Sequence, residues 1–319
     1  MTAKVIDRRS IPSQAVESVW TAPDGHAIRR IDWAAKDQST PPKGSILFFP
    51  GRGDAYEKYL ESLQQWYDSG WQVTAADWRG QAGSGRLGDD AVTGHIEDFS
   101  IWIDDLAAFW SDWKASNPGP HVLAGHSMGG HLVLRGVVEQ RVRPDAMFLS
   151  APMLGYFGNV LPRSVMHAGA KLIRKFRGDT TQAWVWSEKP GEVPIGRINL
   201  LTHDKDRYED ELWWRDNRPE IVMGPGSWGW VERGYASMDV IFAPNRLEAV
   251  DIPVLMVATT NDKLVDYRAI EEATDRLPKG ELLCFGKEAH HEILRETDAV
   301  RDRAMNGIAE FLDRVFSTR

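Results

Sequence analysis

Cysteine is almost missing from this sequence, with Cys284 the only one in 319 residues. A single thiol excludes an intrachain disulfide framework and any zinc site built from several cysteines, and it makes a reducing cytoplasm the expected setting. Positive charge is also short: 38 Lys and Arg face 46 Asp and Glu, a formal net charge of -8. That balance offers no basic field to a polyanion, so no nucleic-acid partner is expected and a neutral or weakly charged substrate is easier to accommodate. No apolar run reaches the roughly eighteen residues that a spanning helix needs, and the opening stretch 1–14 carries charge without a signal-peptide core. Neither a membrane span nor an export signal is expected.

Several motifs are missing too. His291-Glu292 is followed, where a zinc protease needs its second histidine, by Arg295. Gly80, Gly83 and Gly85 lack the spacing of a dinucleotide-binding G-x-G-x-x-G, and there is no phosphate-binding lysine loop. No metal and no cofactor are therefore expected. No repeat of fixed period is visible.

What remains is a composition of 42% hydrophobic and 26% charged residues, that of a soluble globular protein able to bury a substantial core. Residues 16 to 34 read as two short strands joined by Pro23-Asp24-Gly25, a hairpin for a sheet edge. SILFFP at 45–50 is a continuous apolar run of the kind buried on both faces of a parallel sheet. An amphipathic segment at 56–69 and WQVTAAD at 71–77 complete a βαβ unit. The alternation continues with a helix near 95–115, a strand at 121–125, a helix at 129–140 and a strand at 146–150. After Pro152 it breaks for about ninety residues, then resumes with IPVLMVAT at 252–259, a helix near 266–276, ELLCF at 281–285 and a final helix near 298–316. The pattern predicts an α/β protein with a mostly parallel, doubly wound sheet. The core spans 1–154 and 246–319, and 155–245 forms an inserted helical cap.

The strand HVLAG runs directly into His126-Ser127-Met128-Gly129-Gly130 and then a helix. G-x-S-x-G in that strand-turn-helix context is the nucleophile elbow of the α/β-hydrolase fold: the turn holds Ser127 on a strained corner, and side chains at Gly125 or Gly129 would strike backbone. A serine hydroxyl needs a base, and the base an orienting acid, in the chain order serine, acid, histidine. Asp145 and Asp251 precede strands and fall at the wrong end of the sheet. Asp262 follows a strand and is the expected acid, while its neighbour Asp266 is better placed to cap the next helix. The oxyanion donors are expected to be the backbone N–H groups of Met128, at a helix N-terminus, and Arg52, in the loop Pro50-Gly51-Arg52-Gly53. For the base, His290 and His291 both follow the last strand, and loop position does not separate them.

These residues resemble the monoglyceride lipase and lysophospholipase group of α/β-hydrolases, whose members share a serine aminopeptidase-like domain. The resemblance rests on PGRGDAYEKY at 50–59, DWRGQAGSGR at 77–86, GHSMGG at 125–130, NDKLVD at 261–266 and HHEILRE at 290–296. It aligns HEILRE with the catalytic histidine first and so implies His291 as the base. The stretch from 77 to about 109 and GPGSWGWVERGYAS at 224–237 are similar to the lysophospholipases of the group. The resemblance thus implies a serine hydrolase of lipid carboxylic esters, a lysophospholipase or monoacylglycerol lipase acting through an acyl-enzyme. It departs from the family at Pro50, usually His, and at Ala82, usually Gly. The alternatives are a general carboxylesterase or small-amide peptidase of the same fold and, in another class, a non-catalytic scaffold that binds a ligand or protein.

Six of the fourteen tryptophans, at 184, 186, 213, 214, 228 and 230, fall in the insertion. They either pack it or line an acyl-chain tunnel; Trp184, Trp186 and Trp228, with Gly51 and Gly53, are the expected substrate-binding residues. In the segment 160–178, Leu161, Val165, Leu172 and Phe176 share a helical face among Arg163, Lys171, Arg174, Lys175 and Arg177. Either this face packs on the main domain or it rests on anionic lipid, which would put the protein at the inner face of the membrane.

Overall fold

A computed structural model describes residues 6–33, 41–158, 161–185 and 196–317. Its centre is an eight-stranded sheet in the order β1-β2-β4-β3-β5-β6-β7-β8. The first two strands, β1 (Ala15–Thr21) and β2 (Ala27–Trp33), form the expected hairpin at one edge, and β2 runs antiparallel to β4 (Gln72–Ala76). The other strands are mutually parallel: β3 (Ser45–Phe49), β5 (His121–His126), β6 (Ala146–Ser150), β7 (Val254–Thr259) and β8 (Gly280–Phe285).

The apolar run of β3 is buried throughout because the pleat sends alternate residues to opposite faces. Leu47 and Phe49 join one core layer, with α2 (Phe99–Ser116) and α3 (Met128–Val138). Ile46 and Phe48 join the other, with α1 (Leu60–Asp68) and the long C-terminal α9 (Asp298–Phe316). Two helix starts differ from the sequence reading. Residues 56–59 form a 3₁₀ turn ahead of α1, and α2 begins at Phe99 because Asp98 caps it, its carboxylate accepting from the Ser100 N–H. Asp266 likewise caps α8 (Tyr267–Arg276), accepting from Arg268.

Between β6 and β7 lie α4 (Arg163–Arg177), α5 (Ile198–Leu201), α6 (Lys205–Asn217) and α7 (Trp228–Phe242). The α4 helix packs on α7 by its polar side. Its Arg163 and His167 reach Asp239, and His167 and Arg174 reach the buried Glu232. Its apolar side faces out: Leu172 is 57% and Phe176 78% exposed, and Leu161 and Val165 are exposed with them. This removes the option in which that face packs on the main domain. Among the described residues no helix is long and apolar enough to cross a membrane.

Candidate active site

The strand β5 ends at His126, and Ser127 takes φ 50 and ψ -118 before α3 begins. A non-glycine residue there carries strain of about 1–3 kcal/mol, which surrounding contacts must hold. They do so through backbone: the Ser127 N–H donates to Ser150, and the Ser127 carbonyl accepts from His131 and Met153. Both flanking glycines are required by space. A Cβ on Gly125 would stand 2.6 Å from the Gly129 carbonyl carbon, and one on Gly129 would stand 2.3 Å from the Pro50 oxygen.

The close approach at Gly129 brings in the loop after β3. A Cβ on Gly51 would be 3.1 Å from the Ser127 Cβ, so the loop passes directly against the serine. Gly53 turns with φ 65, and its N–H donates to Gln81 at 2.9 Å, which anchors the loop to the 77–86 segment. Ala82 is buried with φ 43, so the chain makes this left-handed turn without the glycine that favours it. The Pro50 carbonyl accepts from the Trp78 indole at 3.1 Å.

Asp262 lies just past the carboxyl end of β7, with one carboxylate oxygen accepting the N–H groups of Leu264 and Val265. The other stands 2.7 Å from Nδ1 of His291, which the ionised carboxylate can only accept from. Nδ1 therefore carries the proton, and Nε2 is the lone-pair nitrogen of the neutral ring. Burial pulls the His291 pKa down, but the Asp262 charge and hydrogen bond outweigh it and leave the imidazole above its ordinary value. Burial likewise pushes Asp262 up, and the charge of His291 with these hydrogen bonds brings it below the usual aspartate value. His126 packs its ring 4.7 Å from that of His291; burial, then the neighbouring His291, holds it well below the ordinary histidine value, so it is uncharged.

His290 points elsewhere. Its ring stacks on His203 at 3.8 Å, and the buried Glu296 accepts the N–H groups of His290, His203 and Thr297 together with Nδ1 of His203. Ligand atoms of His203, His290 and Glu296 lie within 4.8 Å of one another. A metal ion must lie close to the plane of each imidazole that binds it, and two rings stacked nearly parallel share no such point. The trio instead clasps the insertion to the loop that carries His291.

Ser127 and His291 open on one cavity of about 760 Å³, walled by Met153, Tyr156, Trp230 and Leu264 among others. Arg52, Gly53 and Trp184 also line it, whereas Asp262 sits behind His291 and Met128 is buried beneath the serine. Trp228 is not part of the wall; Trp230, two residues further along α7, takes that place with Val231 and Tyr235. Trp186 lies outside the described residues. Helical spacing at about 100° per residue sets Trp228 as near to Val231 and Tyr235 as it sets Trp230, so no signal in the sequence separates the two tryptophans.

A mostly parallel sheet with a strained serine elbow and a histidine–carboxylate pair at its strands' carboxyl ends defines the α/β-hydrolase class. Residues 40–298 match the family described as serine aminopeptidase, S33, and the chain belongs to that family. It is 30% identical to lysophospholipase L2 of Escherichia coli over 94% of this chain and 88% of the relative. It is 24% identical to a monoacylglycerol lipase of Mycolicibacterium smegmatis over 84% and 88%. In fold it is similar to a soluble variant of the monoglyceride lipase of Saccharomyces cerevisiae, with a TM-score of 0.74, 19% identity and 96% of each chain covered.

Proposed function

We propose that this protein hydrolyses the carboxylic ester of single-chain lipids, with lysophospholipids as its preferred substrates. The observation that carries the reading is Ser127 on its strained corner, sharing a largely apolar cavity with a His291 whose free nitrogen is set by Asp262. The lysophospholipase and monoacylglycerol lipase relatives support the choice of substrate.

In this reading Ser127 Oγ attacks the ester carbonyl carbon while His291 Nε2 takes its proton, and the N–H groups of Arg52 and Met128 hold the developing oxyanion. Collapse breaks the bond to the alcohol, which leaves with the proton returned by His291, and the acyl group stays on Ser127. Water, deprotonated by His291, then releases the fatty acid and restores the serine. Residues 155–245 act as the cap and 1–154 with 246–319 as the catalytic core. The exposed apolar face of α4, with Lys171, Lys175 and Arg177 also exposed, rests on anionic lipid and takes substrate from it. The lone cysteine supports a cytoplasmic enzyme working at the inner membrane face.

The test is a panel of lysophospholipid and monoacylglycerol of one chain length, a short nitrophenyl ester and an aminoacyl anilide. The highest kcat/KM is expected on lysophospholipid, and a preference for the anilide overturns the reading. A fluorophosphonate should label the wild-type protein and not Ser127→Ala. In liposome flotation, anionic vesicles should carry more protein than neutral ones, and Lys171→Glu with Lys175→Glu should abolish the difference.

A further inference from the structure

On the His291 side of the cavity lies a cluster of six charges, all but Arg197 with side chains under a tenth exposed, that the proposed chemistry does not use. Three segments, distant in sequence, bring one cation and one anion each. The loop after β3 brings Asp54 and Lys58, the loop of His291 brings Glu292 and Arg295, and the cap brings Glu211 from α6 and Arg197 from just before α5. Lys58 is at the centre, its side chain 4% exposed. It touches one carboxylate from each segment: Asp54, Glu292 at 2.6 Å and Glu211 at 3.1 Å. Arg295 closes the ring by pairing with Glu292 and, at 3.0 Å, with Glu211.

Burying charges is costly, and an ion cluster of this kind stabilises little compared with apolar packing, whereas removing one member leaves the others uncompensated. Its worth must therefore lie in geometry. Asp54 is three residues past Gly51, the residue pressed against Ser127, and Glu292 directly follows His291. Asp54 and Glu292 both line the cavity. The cap is tied in at the same point, because the His291 and Glu292 N–H groups donate to the carbonyls of Leu200 and Leu201 in α5.

We propose that Lys58 is a positioning residue that holds the oxyanion loop, the histidine loop and the cap in register, so that base and oxyanion donor are aligned only while the cap is seated. This rests on the proposed roles of Ser127 and His291. The charged groups that act on His291 are Asp262, Glu292 and Asp54, the last two paired with Lys58 and Glu292 also with Arg295, and neutral His126 lies on the β5 side. In electrostatic terms Lys58 opposes protonation of His291 and Glu292 favours it.

The experiment compares Lys58→Met, Glu292→Gln and Glu211→Gln with wild type on a soluble nitrophenyl ester across pH, after thermal melts establish folding. Lys58→Met should lose kcat by about 10- to 100-fold with KM within about threefold, the pattern of misaligned groups instead of lost binding. Its acid limb should lie above that of Glu292→Gln, since one change removes a positive and the other a negative charge beside the same imidazole. Glu211→Gln should show the same kcat-weighted loss at smaller size, and with Glu292→Gln it carries the test if Lys58→Met does not fold. Wild-type kcat in the variants, a loss confined to KM, or coincident acid limbs overturns the proposal. Fluorophosphonate labelling of wild-type Ser127 tests the underlying reading separately.

Discussion

Two helices of similar length, α9 and α4, use their apolar residues in opposite ways. In α9, Val300, Ala304, Ile308, Phe311 and Leu312 face the sheet and disappear into its core. In α4, Val165, Leu172 and Phe176 point to solvent, and the packed side is His167, Ala170 and the arginines that reach Asp239 and Glu232. Burial at about 25 cal/mol per Å² anchors α9 to the fold, while α4 is held by ion pairs and leaves its apolar area exposed. Both sequences are amphipathic, so amphipathicity by itself does not say which side of a helix the fold buries.

The comparison yields predictions that decrease in size. Ser127→Ala acts at the rigid end, on a corner fixed by core packing, and should lower kcat by about 10³- to 10⁶-fold with an unchanged melting temperature, checked by ester turnover and calorimetry. Phe311→Ala should cost about 3–5 kcal/mol of unfolding free energy, read from urea melts, because the ring is fully buried and the cavity it leaves is not refilled.

Activity should also fall with acid. In the proposed mechanism His291 must be neutral to accept the Ser127 proton, and its pKa is raised, so the acid limb of kcat/KM should centre above the ordinary histidine value of 6.5. Asp262→Asn, which removes the charge responsible, should move the limb lower; a limb at or below 6.5 in wild type contradicts the assignment.

On the α4 side, Leu172→Ser with Phe176→Ser should reduce turnover of lysophospholipid in vesicles by about tenfold while leaving a soluble ester nearly unaffected, as expected if the loss is in lipid contact. Equal losses on both substrates would place α4 with α9 instead. Smallest of all, Phe176→Ala should change stability by less than about 0.5 kcal/mol in the same urea melts that expose Phe311→Ala.

Much of the core could be read beforehand because parallel strands buried on both faces are short continuous apolar runs, and β3, β5, β6 and β7 have no other reading. The elbow was legible because G-x-S-x-G stands between a strand and a helix, although only Gly125 answers backbone of the turn itself, while Gly129 answers the loop after β3. Asp262 and Asp266 were separable because one follows a strand and the other precedes a helix, positions that differ in what the backbone asks of a carboxylate. The cavity wall was less legible. Trp228 and Trp230 are equivalent by composition, and only the direction in which α7 lies against the core decides which one meets the substrate space.

Local sequence thus determined the alternation of strands and helices and the position of the serine corner, since each depends mainly on neighbours within a few residues, and the fold they define sets the chain order of the reacting groups. Tertiary structure alone decided that α4 turns its apolar face outward and that Lys58 collects carboxylates from three segments, and it sets His291, the histidine the resemblance implied, against Asp262 with His290 turned away. Adjacent side chains on an extended loop point in opposite directions, and a buried charge can be compensated from any distance in sequence. Such pairings are settled only where the folded chain brings the groups within hydrogen-bonding reach.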